Sequence, residues 1–165
     1  MTSLETASRI ALVGIGATAF MDAWLAVRQR MGARGLDFAL IGRWVGHFPR
    51  GRFTHEAIGK APRIPGELAL GWLTHYAVGV AFASLLALSA GPGWFGAPSA
   101  LPAVALGVGS VVAPLFVMQP AMGAGFAASR MPAPWSNRLR SLSNHAVFGW
   151  GLYFSAVTLE WMARP

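Results

Sequence analysis

Two of the chain's four histidines stand in apolar surroundings. The run GWLTHYAVGV, residues 71–80, carries His75 in its middle, and LSNHAVFGWG, residues 142–151, carries Asn144 and His145. Asp22 falls inside GIGATAFMDAW, and Gln119 closes APLFVMQ. An ionisable group in an apolar helix is costly and normally faces a bundle interior or water. Three chemistries suit these residue types. A carboxylate with two imidazoles could form a proton- or ion-coupled site. His75 and His145, each followed four residues on by a glycine (Gly79, Gly149), could ligate one b-type haem. Asp22, His75 and His145 could hold a divalent metal such as zinc or non-haem iron, although no HxxH or HExxH spacing is present. The plain alternative is that the polar groups only bond one helix to another, each worth about 1 kcal/mol.

Other chemistries are closed off. The chain has no cysteine, so thiolate metal sites, Cys nucleophiles and disulfides are excluded. GIGATA at 14–19 mimics a dinucleotide-binding loop, but that loop needs a preceding strand and lies here in an apolar helical run. There is no GxSxG and no GK[ST].

The elements that must position these groups are long apolar segments. Only 12% of the 165 residues are charged against 55% hydrophobic, and 68–129 contains no Lys, Arg, Asp or Glu. A soluble fold so poor in charge would expose a large apolar surface. Helices of about 20 residues cross hydrocarbon, whereas barrel strands alternate and span about ten. The sequence therefore predicts an all-α integral membrane four-helix bundle, residues 1–165, with helices at about 10–27, 68–90, 100–119 and 142–162. MTSLETASRI lacks the basic start of a secretory signal, so the first helix is expected to be retained.

The loops at 28–67 and 120–141 hold Arg28, Arg30, Arg34, Arg43, Arg50, Arg52, Lys60, Arg63, Arg130, Arg138 and Arg140, eleven of the thirteen cationic residues. The positive-inside rule makes these loops cytoplasmic and places both termini outside. The net charge of +7 is thus spent on lipid headgroups and topology, and nucleic acid is not an expected partner. In LDFALIGRWVGHF, Leu36, Leu40, Trp44 and Phe48 recur every four residues, joined by Ile41 and Val45. That spacing predicts an amphipathic in-plane helix in the long cytoplasmic loop, with Arg43 and His47 on a different face. His47 and His55 read as surface or interface residues, with His47 also able to lie beneath the intramembrane groups. Pro114 predicts a kink in the third helix. GIG at 14–16 and GVG at 107–109, together with the two His-to-Gly spacings, hint at a duplicated helix pair.

With GIGATAFMDAW, GRWVGHFPRGRF, PGELALGWLTHYAVGVAF, APLFVMQPAMGAGFAASR and HAVFGWGLY in view, the chain resembles the bacterial inner-membrane family catalogued as domain of unknown function number 2938. The resemblance covers nearly the whole length. It implies four membrane helices and a bacterial cytoplasmic membrane, and transfers no activity, cofactor or site residue.

Asp22, His75, Gln119, Asn144 and His145 lie about 6–12 Å inside the charged boundary at 1.5 Å per residue. The expected ligand-binding set is those five with Arg43 and His47, forming a cytoplasm-facing polar pocket for a small solute or ion. A haem- or metal-binding redox module using His75 and His145, and a non-catalytic accessory subunit, are the alternatives. Expected partners are the bilayer and a second copy or a larger membrane complex.

Overall fold

A computed structural model describes residues 2–33 and 35–163, and no strand occurs among them. The first helix, α1 (Ser3–Arg30), starts where the Thr2 hydroxyl accepts the Glu5 N–H at 3.2 Å. It stops where Gly32 takes a positive φ of 87° and Ala33 N–H bonds back to the Arg28 carbonyl. Asp37 caps α2 (Phe38–Gly46) by accepting from Ala39 N–H at 3.0 Å. α3 (Glu67–Ala90) ends at Gly91-Pro92, a pair that cannot continue a helix. After a turn at Pro92–Gly96 comes α4 (Ala100–Gly109). Residues Ala113–Met118 are wound as a π-helix and lead into α5 (Gln119–Ala121). The last helix is α6 (Pro134–Ala163).

Helix runs through each expected apolar segment, the third being divided into α4, the Ala113–Met118 stretch and α5, and two helices extend beyond their apolar cores. α1 begins seven residues early because the Thr2 cap and the Glu5–Arg9 pair stabilise a polar first turn. α6 begins at Pro134, whose ring suits the first helical position. Pro114 does more than kink the third segment. It removes a donor from the ladder, and the backbone widens so that Gln119 N–H reaches the Pro114 carbonyl, five residues back.

Three helices are long and apolar enough to cross a membrane: α1, α3 and the stretch Ala100–Ala121. α6 has the length, at 30 residues, but falls short in hydropathy because Asn144, His145 and its glycines and aromatic rings dilute its aliphatic residues. The apolar residues of the three spans mostly point outward, as at Leu73 (67% exposed), Leu88 and Leu101.

The chain forms two compact units. The first comprises Met1–Arg34, Tyr76–Ser110 and Asn144–Pro165. Its core is Val13, Ala17 and Met21 of α1, Ala83, Leu86 and Ala87 of α3, Trp94 and Phe95 of the turn, Ala103 of α4, and Phe148, Leu152 and Ala156 of α6. So many alanines mark helices packed close together. α1 meets α3 where a Cβ on Gly14 would strike the Val80 backbone, and α4 meets α6 where Gly107 lies against Gly149. At the far end of α1, Arg9 bonds the Glu160 carboxylate at 2.9 Å and the Phe95 carbonyl at 3.1 Å, tying α6 and the turn to α1.

The second unit comprises Gly35–His75 and Val111–Ser143. In it α2 packs backbone to backbone on the start of α3, Gly42 against the Glu67 carbonyl and Gly71 against the Phe38 carbonyl. The face that α2 turns inward is not its apolar one. Phe38, Gly42 and Arg43 are buried, as is the capping His47, while Leu40, Ile41, Trp44 and Val45 remain partly exposed.

Candidate functional site

In the first unit the glycine crossings set the positions of the polar side chains. On α1, Asp22 lies two turns past Gly14; on α3, Tyr76 lies one turn before Gly79. The antiparallel crossing brings them together, and the Tyr76 hydroxyl donates to the Asp22 carboxylate at 2.9 Å. Ser110 follows the last residue of α4, one turn past Gly107, and on α6 His145 lies one turn before Gly149. These two meet as well, Ser110 Oγ to His145 Nδ1 at 2.7 Å. The third link joins α1 to α6: the Asn144 side-chain oxygen accepts from Trp24 Nε1 at 3.2 Å and from Arg28 at 3.4 Å. Arg28 also lies 5.8 Å from the Trp24 ring centroid, a cation–π contact. Three links therefore join polar groups of α1, α3, α6 and the end of α4.

Asp22, Asn144 and His145 were expected in the site, and they fall within this polar layer. Tyr76, Ser110, Trp24 and Arg28 were not expected, although they are the partners. Each of the first three has an apolar body or a small side chain with one polar tip, and composition assigns such residues to core or interfacial belt. The signal available was placement: Tyr76 follows His75, Trp24 follows Asp22 by two, and Ser110 follows GVG.

The remaining expected residues lie in the second unit. His75 packs against Phe38, ring centroids 4.8 Å apart, and edge-on to Trp72 at 6.0 Å. Arg43 is 5% exposed and closes an internal clamp. Its Nε and Nη2 bond the two Glu67 oxygens at 2.8 and 2.7 Å, and its Nη1 reaches the carbonyls of Ile58, Gly59 and Ala61, each at 3.3 Å. The Glu67 hydrogen bonds hold the guanidinium above its ordinary range against the opposing effect of burial. With its donors so engaged, Arg43 fastens α2 and the Ile58–Lys60 turn to α3.

His47 corrects the sequence expectation of a surface or interface residue, while its partner His55 is partly exposed. His47 is 2% exposed, and its Nδ1 lies 2.7 Å from His55 Nε2, with the rings stacked at 4.9 Å. Loop position misled here, because the loop folds into its own compact unit. His55 N–H bonds the Ala121 carbonyl at 2.7 Å and Ile58 N–H the Met122 carbonyl at 3.0 Å, which seats the turn after α5 on residues 55–58. A side chain on Gly123, whose φ is 93°, would strike the Glu56 carbonyl. His55 Nδ1 and Gln119 Oε1 are buried in this unit with no protein hydrogen-bond partner.

Burial, then the neighbouring His47 and Arg52, push His55 below its ordinary value of 6.5. No ionisable side chain occurs on the facing residues 119–129 to oppose that shift. The unfolded chain therefore takes up this proton at higher pH than the folded one. The stability contributed is present above about pH 6.5 and is lost as pH falls through the lowered value. Melting temperature should drop between about pH 7 and about pH 5, and His55→Gln should flatten that slope. A slope unchanged in the variant would assign the acid loss to another group.

Among the described residues no group of three or more His, Asp or Glu is placed to hold a metal ion. A family described as protein of unknown function (DUF2938) matches residues 11–159. The chain belongs to the DUF2938 family. Neither the curated proteins nor the solved structures compared with this DUF2938 chain give a match. The family assignment agrees with the resemblance carried by the sequence motifs and brings no activity with it.

Proposed function

We propose that this DUF2938 protein is a multi-pass protein of the bacterial inner membrane that binds or passes a small solute or ion at the polar layer of its first unit. α6 is the fourth spanning helix in this reading. A helix with this many buried positions, from Asn144 and Phe148 to Leu152 and Ala156, needs less hydropathy than one facing lipid on most sides. The basic loops 28–67 and 120–141 face the cytoplasm, and both termini lie outside. α2 supports an interfacial seat, since it buries its polar side in the protein and leaves its apolar side for lipid.

One observation carries the functional reading: Asp22, a carboxylate within an apolar span, is held by the hydroxyl of Tyr76 from a neighbouring helix. An intramembrane acid with a named partner marks an ion, proton or solute site more often than a packing device. Four helices are few for a carrier, so the working form is a homodimer or part of a larger membrane complex. The bilayer is the other partner, and nucleic acid has no place in the reading. No feature around His75 or His145 favours haem over this.

Flux into proteoliposomes under an imposed ion or pH gradient tests it. Asp22→Asn keeps the shape and the hydrogen bond from Tyr76 but removes the charge. It should lower flux about tenfold or more, equivalent to about 1.4 kcal/mol on the barrier, while leaving the melting temperature nearly unchanged. Wild-type vesicles without flux, with Asp22→Asn losing only stability, would favour the accessory-subunit reading.

A further inference from the structure

Ser110 has one hydroxyl hydrogen and two close partners. Its Oγ lies 2.6 Å from the Gly107 carbonyl oxygen and 2.7 Å from His145 Nδ1, and the residue is 5% exposed. A carbonyl oxygen only accepts, and two oxygens at 2.6 Å with no hydrogen between them would repel. The hydroxyl hydrogen therefore goes to Gly107. Toward the imidazole Ser110 can only accept, so His145 Nδ1 must bear hydrogen.

We infer that Ser110 is a positioning residue that fixes neutral His145 as its Nδ1–H tautomer, which makes Nε2 the nitrogen at which the polar layer gains or loses a proton. The imidazolium also carries hydrogen on Nδ1, so the bond to Ser110 persists through titration and only Nε2 changes. With hydrogen on Nδ1, Nε2 is the accepting nitrogen of the neutral ring. The ligand chemistry that follows is that of a proton or of an N–H or O–H group donating to Nε2. That last step rests on the proposed binding function; the tautomer does not.

The rest of the crossing supports the assignment. A Cβ at Gly107 would lie 2.8 Å from the His145 carbonyl, so the backbones of α4 and α6 are locked at this level and Ser110 cannot drift from the ring. α1 repeats the device in part: Thr18 Oγ1 donates to the Gly14 carbonyl at 2.8 Å at the α1–α3 crossing.

Nitrogen-15 NMR of the histidine side chains in the full-length detergent-solubilised protein tests the inference without any ligand. With four histidines the spectrum is sparse, and His145→Gln identifies the signals by their loss. Above the titration range His145 should show a protonated, pyrrole-type Nδ1 and a bare, pyridine-type Nε2. Ser110→Ala, which removes only the hydroxyl, should convert that single form into a mixture of both tautomers, and Ser110→Thr should restore it. A wild-type His145 bearing its hydrogen on Nε2, or tautomer populations identical in wild type and Ser110→Ala, would overturn the inference. Failure of the flux experiment would leave this result standing, so the two claims can be separated.

Discussion

Gly149→Leu should separate α4 from α6 and lower the melting temperature in detergent by about 6–12 °C. A Cβ at position 149 would come within 2.9 Å of the Val104 Cα, 3.0 Å of the Ala103 carbonyl and 3.2 Å of the Gly107 Cα. All three are backbone atoms of the facing helix, so no rotamer change relieves the clash. At Gly16, by contrast, the added carbon would meet only the side chain of Ser155. Overpacking of this kind costs up to about 3 kcal/mol. For a chain of this size each kcal/mol moves the midpoint about 2–4 °C. The crossing also sets the Ser110–His145 distance, so the loss should extend to the tautomer of His145. Gly109→Leu is the control on the same pair of helices: nothing lies within 4 Å of its added Cβ, and its midpoint should hardly move. Equal melting temperatures for Gly149→Leu and wild type would show that the two helices do not approach as closely as the glycines allow.

That prediction draws on a pattern visible in the sequence before any coordinates. The paired spacings His75–Gly79 and His145–Gly149, with GIG and GVG, hinted at a duplicated helix pair. In the first unit both crossings fall on those motifs: Gly14 against the backbone at Gly79 and Val80, Gly107 against Gly149. Small residues at helical spacing are legible because close approach admits nothing larger. The chemistry one turn away is harder to read. Which hydroxyl meets which imidazole depends on crossing angle and depth, and periodicity encodes neither. Asp22, Asn144 and His145 were identifiable from the cost of polarity in an apolar run. Tyr76 and Ser110 were not, since a tyrosine or a serine in such a run is cheap enough to need no partner. Hydropathy also under-read the start of α1, where a cap and an ion pair extend the helix beyond the apolar stretch, and the start of α6, which opens on Pro134. It could not separate the two sides of α2 by destination either. A core-facing helix in water would bury Leu40, Trp44 and Ile41, whereas here the buried side carries the charge.

That inverted burial makes Arg43→Met the second large effect, and the reason lies in what the guanidinium satisfies. The carboxylate of Glu67 receives two of its bonds and also accepts from Ile64 N–H at 3.1 Å, so the start of α3 is shaped around the pair. The carbonyls of Ile58, Gly59 and Ala61 converge on Nη1 and hold the turn that carries the His55 strand of chain. Methionine keeps much of the apolar stem but donates nothing. A buried carbonyl left without a donor costs about 1–3 kcal/mol. The expected result is a midpoint lower by roughly 5–10 °C, with hydrogen exchange rising first in residues 55–61. Arg43→Lys should rescue little, because a single ammonium cannot bridge both Glu67 oxygens and still reach three carbonyls. The double variant Arg43→Met with Glu67→Met should recover part of the loss, since it removes the stranded carboxylate while leaving the carbonyls unsatisfied. Flux, in contrast, should follow Asp22 and not Arg43 once the protein is kept well below its midpoint. If Arg43→Met abolished flux at full stability, Arg43 would belong to the solute path and the assignment of the site to the first unit would have to be redrawn.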